Sequence, residues 1–158
     1  MKKTICVLIS SVLMSAVSCI AADVPAGYSP LSEIKEVQAK AVLGGKLVVL
    51  VIKGTGYSDP AYVEAGFHAG QNAVGGNVEK IFTRPDEINS ANKADFPEGL
   101  KDILKKRTFD TSWAVYFLVF DPKMTKLVAD VNGSELPENR KLGLEFKKKV
   151  QEAKKNIK

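Results

Sequence analysis

The chain has 158 residues, the size of one average domain. It is 45% hydrophobic and 26% charged, with 23 basic and 18 acidic residues for a formal charge of +5. This balance excludes collagen-like, low-complexity and polytopic membrane classes. Its two cysteines, Cys6 and Cys19, both fall in the first twenty residues. A disulfide-rich scaffold and a zinc site of paired thiolates are excluded with them.

Met1-Lys2-Lys3 is a short basic start, and Thr4 to Val17 is an uncharged apolar and small-residue run. Ser18-Cys19-Ile20-Ala21-Ala22 then brings small residues before the polar Asp23. The pattern predicts a bacterial secretory signal peptide over residues 1–22 and one domain over 23–158. The run is shorter than the ~20 apolar residues of a membrane span. Cleavage after Ala21 or Ala22 is one processing route. Lipidation of Cys19, in the loose box Ala16-Val17-Ser18-Cys19, is the other. Either product enters the periplasm or is secreted, and neither carries a thiol pair. Removal of Lys2 and Lys3 leaves 21 basic and 18 acidic residues on a chain long enough to bury about two-thirds of its unfolded surface.

Ser29-Pro30 reads as an N-cap and first helical residue. Leu31, Ile34, Val37, Ala41 and Val42 follow at helical spacing, and Gly44-Gly45 stops the helix. Leu47 to Ile52 is a continuous, β-branched apolar run, the signature of a strand covered on both faces. Gly54-Thr55-Gly56-Tyr57-Ser58 turns the chain, and Asp59-Pro60 opens a second helix running to Gly75-Gly76. Gly66 and Gly70 inside that helix cost about 1 kcal/mol each relative to Ala. Their presence predicts close approach of another element. Val78 to Thr83 is a weaker strand, Arg84 to Phe96 a polar loop, and Pro97 to Lys106 a short helix burying Leu100, Ile103 and Leu104. Trp113 to Phe120 is a second buried strand, joined through Asp121-Pro122-Lys123-Met124 to an antiparallel partner over Leu127 to Val131. Ser134 is expected to cap a last helix with an apolar stripe of Leu142, Phe146, Val150, Ala153 and Ile157. The expected architecture is an α/β three-layer sandwich around a four-stranded mixed sheet.

This order of elements resembles the thioredoxin fold from about Pro30 to Lys155. Active thioredoxins carry Trp-Cys-Gly-Pro-Cys after the first buried strand, where this chain has Tyr57-Ser58-Asp59-Pro60-Ala61. The aromatic and the proline are in register, with Ser58 in place of the attacking cysteine and Ala61 in place of the resolving one. Thiol–disulfide exchange needs a thiolate nucleophile and a second thiol, and a hydroxyl supplies neither. The family's cis-proline neighbourhood reads Thr111-Ser112-Trp113 here, without proline. A cis bond at a non-proline residue costs about 3 kcal/mol, so a trans bond is expected. The resemblance implies a redox-inactive member with no cofactor. Its substrate groove would become a non-catalytic peptide- or protein-binding surface of Tyr57, Ser58, Asp59, Pro60, Ser112 and Trp113.

Other chemistry is weaker. Gly54 to Ser58 has the look of a flavin-phosphate loop, but flavodoxins begin with that strand and use five parallel strands. His68 is the only histidine and has Glu64 one turn before it, which reads as a surface ion pair, with no metal set to complete. Ser58 and Asp59 stand at a helix start, where such residues cap backbone amides, and the nucleophile elbow of a hydrolase is missing. Glu138 to Lys158 holds eight basic and three acidic residues. Lys147, Lys148, Lys149, Lys154 and Lys155 make a basic face suited to an anionic membrane surface. Export removes nucleic acid from the expected partners.

Overall fold

A computed structural model describes residues 24–54, 59–109 and 115–157. The expected leader over residues 1–22 lies outside them. Among the described residues the protein is α/β, with five strands in one mixed sheet and five α-helices. The strands are β1 (Ser29–Pro30), β2 (Leu47–Lys53), β3 (Val78–Thr83), β4 (Val115–Phe120) and β5 (Leu127–Asn132), in the spatial order β1-β3-β2-β4-β5. β3 runs parallel to β1 and β2, while β4 runs antiparallel to β2 and β5.

The sheet thus has five strands where four were expected. The extra one is Ser29–Pro30, read from sequence as a helix start. Instead it pairs with Ile81 and Phe82, and the chain becomes helical only at a 3-10 turn over Leu31–Glu33. Proline lacks an amide donor and is tolerated on such an edge strand.

Helix α1 (Ile34–Gly44) ends at Gly45, whose left-handed φ of 57° lets its amide reach the Ala41 and Val42 carbonyls. β2 follows, with Leu47 to Ile52 all buried. Alternate residues feed two cores. Val48, Leu50 and Ile52 pack with Ile34, Val37 and Leu100 on one face. Leu47, Val49 and Val51 pack with Val63, Phe67, Phe146 and Val150 on the other. That double burial explains why β2 has no polar alternation.

Helix α2 (Pro60–Val74) buries Val63, Gly66, Phe67, Gly70, Ala73 and Val74. Its glycines mark close approaches. A Cβ added at Gly66 would stand 2.8 Å from the Gly133 carbonyl oxygen, and one at Gly70 would fall within the Phe117 ring. Tyr28 rests on Phe67 and Phe82, and its hydroxyl accepts from Gln71 Nε2 at 2.8 Å. Burial pushes the Tyr28 hydroxyl pKa above its usual value, against a smaller lowering by Gln71.

The segment 84–96 is not a loop. Helix α3 (Pro85–Ser90) starts on a proline with Asp86 and Glu87 in its first turn, and a 3-10 turn covers Lys93–Asp95. Helix α4 (Glu98–Lys106) buries Leu100, Ile103 and Leu104 as expected. Ser134 does not cap the last helix. It sits in a 3-10 turn (Gly133–Glu135), and α5 (Arg140–Asn156) is capped by Asn139, whose side chain accepts from the Leu142 amide. Phe146 and Val150 of α5 are buried, with Leu142, Ala153 and Ile157 packed at the margin of the same core. Lys154 turns inward and donates to the Val74 and Gly76 carbonyls at 2.7 and 2.6 Å. Burial, and secondarily the Lys80 charge, hold its pKa below the usual lysine value. Among the described residues no helix is long and apolar enough to cross a membrane.

Gly70→Ala tests the α2–β4 approach. Helix propensity alone would add about 1 kcal/mol of stability. Overpacking against Phe117 is expected to outweigh it, for a net loss of about 1–3 kcal/mol by denaturant unfolding. A stabilised variant would show that the approach is not tight.

Candidate functional site

The candidate groove belongs to the sheet end where β2 leaves and β4 enters. Lys53, the last residue of β2, is the register partner of Val115, the first of β4. The chain leaving β2 through buried Gly54 and the chain arriving at Val115 therefore meet the sheet side by side.

Asp59 and Pro60 are the groove residues within the described parts. Asp59 is exposed, with extended backbone, and its Oδ1 accepts from the Ala61 and Tyr62 amides at 3.0 and 3.3 Å. Pro60 takes the first helical position, where its missing amide costs nothing. Asp59 is thus the N-cap that its sequence position implied. Its carboxylate also complements the positive end of the α2 dipole. Tyr57, Ser58, Ser112 and Trp113 lie outside the described residues, as does most of the Gly54–Ser58 loop.

Two further anchors hold this end together. Lys53 Nζ bonds Glu64 Oε1 and lies 5.2 Å from the centroid of the Phe67 ring. The expected Glu64–His68 pairing is therefore replaced by a pair between strand and helix. His68 is exposed, with its ring 5.9 Å from that of Phe67. On the opposite face, Asn89 of α3 clamps Phe109. Its Nδ2 donates to the Phe109 carbonyl at 2.8 Å, and its Oδ1 accepts from the Phe109 amide at 3.3 Å. The buried Phe109 ring meets Tyr116 edge-on at 5.2 Å, and the Arg107 guanidinium lies over it at 5.2 Å while bonding Asp130. Phe109 and Val115, the described residues on either side of 110–114, are thus each held by neighbours.

Nothing in these anchors is arranged for proton transfer or nucleophilic attack. Asp59 is committed to capping, and Lys53 and Glu64 neutralise each other. Among the described residues no group of three or more His, Cys, Asp or Glu is placed to hold a metal.

The basic face of α5 lies apart from this end. Lys147, Lys148, Lys149 and Lys155 are exposed, whereas Lys154 is engaged as described. Lys148 stands 3.9 Å from Glu152, a weak exposed pair.

No family model, curated protein or solved structure matches this chain.

Asp59→Ala is expected to lower stability by about 0.5–2 kcal/mol, and Asp59→Asn to keep most of the wild-type value, because either side-chain oxygen caps α2. Equal losses in denaturant unfolding would show that charge, not the cap, is what matters.

Proposed function

We propose that this chain is an exported, redox-inactive thioredoxin-like protein that holds a peptide or protein partner without reacting with it. One observation carries the reading. An Asp59-capped helix follows the central strand β2 in the chain, and the register Lys53↔Val115 sets the start of β4 beside the end of β2. The resemblance assigns its groove to this junction. The sheet order, with parallel strands on one side of β2 and an antiparallel hairpin on the other, supports the finer three-layer assignment. So do helices contributing to the cores on both faces.

The chain has no cysteine after Cys19. A groove built from Tyr57, Ser58, Asp59, Pro60, Ser112 and Trp113 then has aromatic area and hydrogen-bonding groups but no sulfur nucleophile. Tyr and Trp are the side chains that most often dominate binding energy at such surfaces. With export as proposed, the partner is one met outside the cytoplasm.

Insulin reduction by the protein is expected at background only. Capture of a partner from the native envelope is expected to fall at least about tenfold in both Tyr57→Ala and Trp113→Ala, the scale of an aromatic hot spot. Measurable reductase turnover, or capture indifferent to both substitutions, would overturn the proposal.

A further inference from the structure

A concavity lies at the end of the sheet where β2 begins. The turn from α1 into β2, the β4–β5 turn and the last turn of α5 enclose a cleft of about 530 Å³. That volume falls in the range of small-molecule sites. Val42, Leu47, Val128 and Ile157 provide apolar walls, and Lys123 and Lys126 provide charge. Val42 is 45% exposed, so this wall is open to solvent.

The charges are unevenly committed. Lys123 and Lys126 are exposed, and neither pairs with a carboxylate among the described residues. Asp121, the acidic residue of the lining, is occupied in holding the turn. Its Oδ1 accepts from the Lys126 amide at 2.6 Å and its Oδ2 from the Thr125 hydroxyl at 3.0 Å. Gln38 Nε2 donates to the Lys123 carbonyl and ties the same turn to α1. The cleft therefore joins apolar walls on held elements to two ammonium groups with no carboxylate partner among the described residues.

We propose that this cleft binds a single-chain amphiphile with an anionic head, of the fatty-carboxylate class. The hydrocarbon chain lies along Val42, Leu47, Val128 and Ile157, and the carboxylate meets Lys123 and Lys126. A compact anion would leave the apolar walls wet, and a neutral lipid would forgo the ion-pair gain at the two exposed lysines. The site is independent of the candidate groove, which lies at the other end of β2.

Dodecanoate below its micelle concentration, titrated into the full chain, is the probe. Amide and methyl spectra are expected to show saturable shifts centred on Val42, Leu47, Val128 and Ile157, while Trp113 fluorescence stays unchanged. K123Q/K126Q is expected to weaken binding about twofold to thirtyfold, as for two exposed ion pairs. Val42→Asp, at an exposed position, is expected to weaken it at least about tenfold, and dodecanol is expected to bind more weakly than dodecanoate. Absence of saturable shifts, shifts centred on the lysine face of α5, or K123Q/K126Q affinity equal to wild type would overturn the assignment. Ligand-free shifts at the same residues on dilution would assign the cleft to an interface between copies, which overturns it as well. If Val42→Asp fails to fold, K123Q/K126Q decides alone.

Discussion

Antiparallel pairing of β2 with β4, from Val48↔Phe120 to Lys53↔Val115, fixes both ends of the molecule at once. At one end it sets Lys53 and the start of the chain leaving β2 beside Val115. At the other it places the β4–β5 turn beside the turn that leads into β2. A slip of one residue would exchange the faces of every side chain in the pair. Two different cores make such a slip costly. Val48, Leu50 and Ile52 fit among the side chains of α1 and α4, and Leu47, Val49 and Val51 among those of α2 and α5.

The close contact of α2 with the sheet serves the same end. Gly66 admits the Gly133 backbone and Gly70 admits the Phe117 ring, so α2 lies lower over β4 than side chains there would permit. Phe67 is held between Tyr28 and Phe117, and the Lys53 ammonium covers its ring. The N-terminus of α2 is thereby aimed from a fixed base, and Asp59 closes it. The proposed binding surface, if assembled on this junction, would gain rigidity from these elements and so a lower ordering cost of association.

Much of this was legible in the sequence because the signals are local. The six apolar residues of β2 announce a doubly covered strand, Asp59-Pro60 announces a capped helix, and two glycines inside an otherwise good helix announce a close neighbour. What was missed depends on distance along the chain or on very short elements. Two residues of β1 are too few to show alternation, and Ser29-Pro30 is equally good as a helix start. α3 contributes one large buried side chain, Ile88, beside its leading Pro85, so its polar composition reads as loop. Spacing within α2 pairs Glu64 with His68, but the stronger partner comes from β2 across the helix–sheet gap. The Asn89–Phe109 clamp spans twenty residues and has no periodic trace at all. Of the proposed groove residues the structure describes Asp59 and Pro60, and there the sequence signal was the local cap pair at the start of α2.

Trp113 is the single tryptophan of the chain, which makes its indole a specific reporter for the proposed groove. Nuclear Overhauser contacts from that indole test whether the two segments form one surface. Contacts to the Tyr57 ring or to the Pro60 ring protons are the expected result. Indole contacts confined to residues away from 57–60 would contradict the account and remove the proposed groove.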